Sequence, residues 1–179
     1  MGNTPFLLGN MPYELTSMVL GDKIRYVNYL YKNKKENGLE LETCINFILT
    51  KVQNNVFNYF KHKLTSLDIT PAQYAVLKCL WDNGDQLPSQ ISNTLCVDSS
   101  TITGILSRME KKGLIKRMHS TTDRRAVNVQ IMPEGKALQA DIENAVKEAN
   151  EEILRGLDPE DLGRLRFILD HINESAHVR

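Results

Sequence analysis

Seven consecutive polar residues, His119 to Arg125, separate two short stretches whose side chains alternate in character. The stretch before them, Leu114-Ile115-Lys116-Arg117-Met118, mixes apolar and basic residues. The stretch after them, Ala126 to Ile131, puts Val127, Val129 and Ile131 on one face and Asn128 and Gln130 on the other. Period-two alternation marks half-buried strands, so this pattern specifies a β-hairpin. Its tip ends in Asp123-Arg124-Arg125 and is far longer than the two-residue loop of a tight hairpin. Long loops without regular structure are usually functional or disordered, so the residues around the tip decide what it touches.

Upstream the chain is punctuated for helices. Thr70-Pro71-Ala72-Gln73 is a capping box with proline at the first helical position, opening a helix that carries Tyr74, Leu77, Leu80 and Trp81 and stops at Asp82-Asn83-Gly84. A short helix spans about Pro88 to Leu95. Asp98 caps a third helix that runs to about Lys112 and closes at Gly113. An earlier helix, from about Leu41 to Leu64, has Ile45, Ile48, Leu49, Val52, Val56, Tyr59 and Phe60 as its apolar stripe. Before it, Leu15, Val19, Ile24, Val27, Leu30 and Tyr31 give Pro12–Lys35 a helical spacing. After the hairpin come one long helix, Glu134 to Arg155, and a final one opened by Asp158-Pro159-Glu160-Asp161. The fold class is therefore mainly α. A winged helix-turn-helix with a two-stranded hairpin wing occupies residues 67–132, between a helix at 41–66 and helices at 133–179, with residues 1–40 an N-terminal extension holding an extra helix.

In a winged helix-turn-helix the second helix of the pair enters the major groove of DNA. That role falls to Asp98–Lys112. At about 100° per residue, Ile102, Ile105, Leu106 and Met109 form its core face. The opposite face gathers Ser100, Thr103, Gly104, Ser107 and Lys111, flanked by Ser99, Thr101 and Arg108. Small hydroxylated residues and a glycine let a backbone approach base edges, while the bases meet phosphates. Such a face can also be merely solvated. Charge favours DNA. The formal net charge of the chain is zero, which argues against indiscriminate coating of nucleic acid, yet Asp98–Arg125 carries a net of +4 and Glu134–Arg179 a net of −5. Arg124 and Arg125 at the hairpin tip can reach the adjacent minor groove, and the Asp123 carboxylate can brace Arg125.

On these residues the chain resembles the MarR family of bacterial regulators. The resemblance rests on ITPAQYAVLKCLW, SSTITGILSRMEKKGLIKR and TTDRRAVNVQIMPEGKAL, within Ile69–Leu138, and extends with the outer helices over about residues 41–175. The Asp-x-Arg of the family's wing falls on Asp123 and Arg125. The resemblance implies a homodimer, with the helices at 41–66 and 133–179 from both chains forming the dimerisation domain. It implies two winged helices reading a pseudo-palindromic operator, usually as a repressor released by a small-molecule effector. Family ligands lie between the dimerisation helices and the winged helix, which points to Tyr59, His62, Tyr74 and Trp81, with Phe47 reaching in from a partner chain. Small aromatic or apolar acids are the expected effectors. Two positions depart from the family pattern: Met132 stands where threonine commonly caps the helix after the hairpin, and Cys96 replaces a common glycine in the helix-turn-helix turn.

Other chemistry is weaker. Peroxide-sensing relatives use a thiolate on their first helix, and Cys44 lies at the start of that helix here, one or two positions off the sensing cysteine. Cys79 and Cys96 read as buried, inert thiols. Three cysteines without a CxxC pair are not a disulfide framework, so a reducing cytoplasm is expected. His119, Ser120 and Asp123 share one turn and cannot assemble a hydrolase triad, and no metal-ligand spacing or cofactor motif is present, so no enzyme is expected. No apolar run approaches a membrane span. A protein-interaction module that has lost its DNA face is the rival from another class, and it would show no salt-dependent duplex binding.

Overall fold

The structure is a computed structural model and describes residues 41–119 and 127–176. The expected helix at Pro12–Lys35 and the wing tip lie outside the described residues. The chain divides into two units, Met1–Gln53 and Asn54–Arg179. In the first, a 3-10 turn at Leu41–Thr43 leads into α1, Ile45–Leu64, whose length runs on into the second. The second unit holds α2 (Pro71–Asn83), α3 (Pro88–Leu95), α4 (Ser99–Lys111), β1 (Ile115–His119), β2 (Val127–Ile131), α5 (Pro133–Ala137), α6 (Gln139–Ile153) and α7 (Pro159–Ala176).

Local chemistry sets most of these boundaries. The Thr70 hydroxyl accepts the Gln73 N–H at 3.2 Å, and the Gln73 side chain accepts the Thr70 N–H at 3.1 Å, closing the expected capping box at the head of α2. Gly84, at φ +71°, ends α2 with its N–H on the Leu80 carbonyl. Asp98 accepts the Thr101 N–H at 2.8 Å to cap α4, and Gly113 at φ +72° turns the chain out of it into β1. Where the family pattern has glycine, Cys96 sits in the left-handed region at φ +51°, a conformation that suits a residue without a Cβ. Its side chain is exposed, contrary to the expectation of a buried thiol, because the left-handed turn directs it outward while its neighbours Leu95 and Val97 pack against the core.

The strands pair antiparallel from Ile115↔Ile131 to His119↔Val127. Gln86, in the loop after α2, adds a bridge to β2: its N–H and carbonyl both pair with Val129, at 3.2 and 2.8 Å. The core of the second unit lies where these elements converge. Val76, Leu77 and Leu80 of α2, Ile91 of α3, Ile102, Leu106 and Met109 of α4, Ile115 and Val129 of the hairpin, and Ile142 of α6 are all buried, together with Leu64 at the end of α1.

One expected helix is two. Instead of a single helix over Glu134–Arg155, α5 and α6 meet at Leu138, whose ψ of −9° interrupts the helical ladder. The cause lies in the first turn. Met132 occupies the N-cap position without a side-chain hydrogen bond, and Pro133 starts α5. The Gly135 carbonyl, which an uninterrupted helix presents to the residue four positions on, accepts the Trp81 Nε1–H at 3.2 Å. A Cβ on Gly135 would lie 2.4 Å from the Leu114 carbonyl oxygen, so only glycine fits where α5 crosses the turn between α4 and β1. Gly135→Ala is expected to lower the unfolding free energy by about 3 kcal/mol, the upper end of overpacking costs, because the contact is with backbone that cannot rotate away. A denaturant midpoint equal to that of the parent protein would contradict this contact.

Candidate nucleic-acid interface

α4 presents the two faces expected of it. Ile102, Ile105, Leu106 and Met109 are buried, while Ser99, Ser100, Thr101, Thr103, Arg108 and Lys111 are exposed and Gly104 and Ser107 half-buried. The hydroxyls are less free than the sequence suggests. Ser100 Oγ donates to Asp98 Oδ1 at 2.5 Å, Thr101 Oγ1 to Asp98 Oδ2 at 2.6 Å, and Thr103 Oγ1 to the Ser99 carbonyl at 2.7 Å. With their protons donated to Asp98 and to the Ser99 carbonyl, these three keep only lone pairs to offer outward, as hydrogen-bond acceptors. Ser107 differs, since its Oγ accepts from Arg117 Nη2 at 3.4 Å and keeps its own proton to donate. A Cβ on Gly104 would meet only the Arg108 guanidinium, 3.6 Å away, so Arg108 lies back along the exposed face beside the glycine.

The basic footprint also resolves into two kinds of cation. Lys112 Nζ bonds to the Asp68 carbonyl and its carboxylate (Oδ2, 2.9 Å), which fastens the end of α4 to the linker after α1. Arg117 pairs with Glu110 at 2.6 Å. Arg108, Lys111 and Lys116 are exposed. Asp123, Arg124 and Arg125 lie outside the described residues. No local pattern in the sequence links Glu110 to Arg117 or Asp68 to Lys112, and both pairs were missed for that reason. A groove of about 390 Å³ was missed as well: it runs between the start of α3 and the reading face of α4, lined by Pro88, Ser92, Ser99, Ile102, Thr103 and Val127.

Each of the expected effector residues has its own surroundings among the described residues. His62 is exposed. The Tyr59 hydroxyl bonds to Glu152, which also accepts from Lys63 Nζ at 3.0 Å, tying α1 to α6. Trp81 is committed to Gly135. Tyr74 is half-buried against the core, and burial pushes its phenol up from the usual range. Phe47 belongs to the first unit and is exposed there. None of the five lines the 390 Å³ groove. Cys44 is half-buried, and its carbonyl accepts the Ile48 N–H at 3.0 Å, which places it at the head of α1. Cys79 is buried, which pushes its thiol up and away from reactivity. Among the described residues no His, Cys, Asp and Glu cluster could hold a metal ion, and no helix is long and apolar enough to cross a membrane.

Comparison with known proteins settles the family. The organic hydroperoxide resistance transcriptional regulator of Bacillus subtilis (strain 168) is 30% identical over 148 residues, covering 81% of this chain and 97% of the relative. The sequence profile of the MarR family matches residues 69–127. This chain is a member of the MarR family. It is a transcriptional regulator of the winged-helix, DNA-binding kind, as the two faces of α4 anticipated. Two solved MarR-like structures share its fold. A mutant MarR from E. coli, crystallised with operator DNA, superposes with a TM-score of 0.68 at 24% identity, covering 72% of this chain and 92% of that one. BpsR of Bordetella bronchiseptica, whose DNA binding is regulated by 6-hydroxynicotinic acid, superposes with a TM-score of 0.71 at 21% identity, covering 76% and 98%.

Asp98 gives α4 a measurable pH signature. The Ser100 hydroxyl, then the Thr101 hydroxyl and N–H, hold its carboxyl well below the usual carboxylate range although it is solvent-exposed. A depressed folded-state pKa contributes stability above the ordinary value of about 3.9, and that contribution is lost as pH falls through the folded value. Asp98→Asn keeps an acceptor but cannot titrate. The parent protein should therefore exceed the variant in stability at neutral pH, and urea midpoints should show the difference shrinking below about pH 4. A difference independent of pH would contradict the charged cap.

Proposed function

We propose that the chain acts in the cytoplasm as a homodimeric, sequence-specific repressor that binds a pseudo-palindromic operator and is released by a small aromatic or apolar acid. The observation that carries the DNA reading is the division of α4 into a fully buried apolar face and an exposed face of hydroxyls, Gly104, Arg108 and Lys111. The E. coli structure with operator DNA supports the same use of the fold. Ser99, Ser100, Thr101, Thr103, Gly104 and Ser107 would meet base edges, Arg108 and Lys111 phosphates, and Arg124 and Arg125 the neighbouring minor groove, with Asp123 bracing the wing. The dimer reading rests on α7, which buries no residue and exposes Leu165, Ile168 and Leu169 on one stripe and Phe167, at 73%, on another. A helix apolar on more than one side needs a partner to cover it.

Duplex binding over a salt series tests this reading. Thr103→Ala should change which bases are preferred, with about 1–3 kcal/mol at one position of each half-site. Arg108→Ala should weaken every sequence alike and lower the salt slope by about 1. Absence of salt-dependent duplex binding would favour a protein-interaction module instead.

The effector reading draws on the BpsR structure and on the ion pairs that join α1 and α2 to α6. A ligand seated at that junction would re-space the two reading heads if it binds the mis-spaced dimer better than the competent one. Linkage then requires operator DNA to weaken ligand binding by the same factor. Aromatic acids are expected to release the operator complex in a mobility-shift titration. The name of the Bacillus relative and the place of Cys44 at the head of α1 favour one alternative, peroxide sensing. Release by mild peroxide that Cys44→Ser abolishes, with no release by aromatic acids, would establish it.

A further inference from the structure

The junction between the reading helix and the wing contains a contact that the DNA reading leaves unused. Glu110, in the last turn of α4, grips both ends of one residue of β1. Its Oε1 accepts the main-chain N–H of Arg117 at 3.0 Å, and its Oε2 accepts Nε and Nη2 of the same Arg117 at 2.8 and 2.6 Å. Arg117 Nη2 extends to Ser107 Oγ, one turn back on the face turned toward DNA. On the far side of the hairpin, Val129, which faces Arg117 in the register, gives both its main-chain groups to Gln86. The Arg117 N–H therefore points away from β2, as an edge-strand donor, and Glu110 satisfies it. Arginine's fixed fork makes the grip directional, and lysine cannot reproduce it. The Arg117 side chain and backbone hold the Glu110 carboxyl below the usual range, so the pair is charged at neutral pH.

Between α4 and β1 the covalent connection is a single turn through Gly113, at φ +72°. Glycine suits the left-handed conformation of that turn. Three hydrogen bonds from Arg117 to one carboxylate tie strand to helix a second time, beyond the main-chain bonds of Leu114 at the turn.

We propose that Glu110 and Arg117 are positioning residues that fix the angle between recognition helix and wing, and with it the register between the bases read in the major groove and those read in the flanking minor groove. The proposal rests on the reading of α4 as the DNA-reading helix. It assigns Arg117, a cation in the basic segment, to geometry and not to phosphate contact.

The test selects binding sites from a random duplex pool with the full-length protein, then measures affinity for the selected and a scrambled duplex over a salt series. The variants are Glu110→Gln, Arg117→Lys, Arg117→Met and the Glu110→Gln/Arg117→Met pair. If the pair is a brace, Glu110→Gln and Arg117→Lys each weaken the selected duplex about tenfold, and the double variant is no worse than the poorer single one, as coupled residues behave. The salt slope and the scrambled-duplex affinity stay as they were, and sites reselected with either variant keep the half-site core while losing the flank preference. If Arg117 is a phosphate contact, Glu110→Gln strengthens binding to both duplexes, and Arg117→Met weakens both and lowers the salt slope by about 1, which overturns the proposal. Variants that melt earlier but reselect the same cores and flanks overturn it too, leaving a purely structural pair. A parent protein that selects no sites overturns the DNA reading itself, whereas a parent that selects sites its variants share overturns the brace alone.

Discussion

Leu114 is the residue on which the rest of the architecture turns. Its N–H closes the end of α4 on the Met109 carbonyl at 3.1 Å, and its own carbonyl accepts the Met132 N–H at 2.9 Å as the chain leaves β2. The same oxygen leaves no room for a Cβ at Gly135. Three elements thus converge on one peptide: α4 ends there, the hairpin begins and returns there, and α5 crosses it so closely that no Cβ fits at Gly135. Trp81 pins the far side of α5 through the Gly135 carbonyl, so α2 joins the node as well. Any displacement of the C-terminal helices is therefore felt at the base of the wing, where the Glu110–Arg117 pair also lies. Rigid packing at backbone contact transmits motion, because close-packed interiors resist compression.

What the sequence made legible was local or periodic. The capping box at Thr70, the cap at Asp98 and the turns at Gly84 and Gly113 are each decided by residues a few positions apart, and each stands where the pattern put it. The same is true of the core face of α4, since spacing alone separates Ile102, Ile105, Leu106 and Met109 from the hydroxyl face. What stayed hidden depends on partners distant in sequence. The break at Leu138 comes just after a carbonyl held by an indole 54 residues away. Glu110 finds Arg117 only after a turn folds the strand back. Cys96 looked like a core thiol by residue type, but its left-handed position holds it on the surface. Tyr59 and Trp81 each join two helices through a polar tip, a partnership no local pattern announces.

The charge distribution acquires a different meaning once the pairs are known. A net of +4 over Asp98–Arg125 suggests a broad electrostatic grip, but Arg117 and Lys112 are each joined to a carboxylate within the fold. The cations left to face a polyanion from the described part of this segment are Arg108, Lys111 and Lys116, set beside hydroxyls with their protons turned inward. Under the proposed DNA reading, fewer of these cations are left to meet phosphate than the net charge alone suggests, and specificity rests on the fit of the exposed α4 face.

Under the proposed effector reading, dependence on fit is also what makes such a reader switchable. Two ion pairs hold α6 from different elements, Lys63–Glu152 from α1 and Lys78–Glu143 from α2, and all four side chains are partly open to solvent. Exposed pairs contribute little stability, so breaking them costs little. The apolar contacts of Ile142, Val146 and Ala149 are a different matter, since they are buried and resist separation. A displacement of α6 that broke the polar ties while sliding over the apolar ones would encounter only the weaker set. It would then pass through Leu138 to Gly135 and the Leu114 carbonyl, where no slack exists. On the proposed effector reading, weak pairs along the length of α6 and a rigid contact at its origin are what a small molecule bound far from α4 would use to move the winged helix as one body.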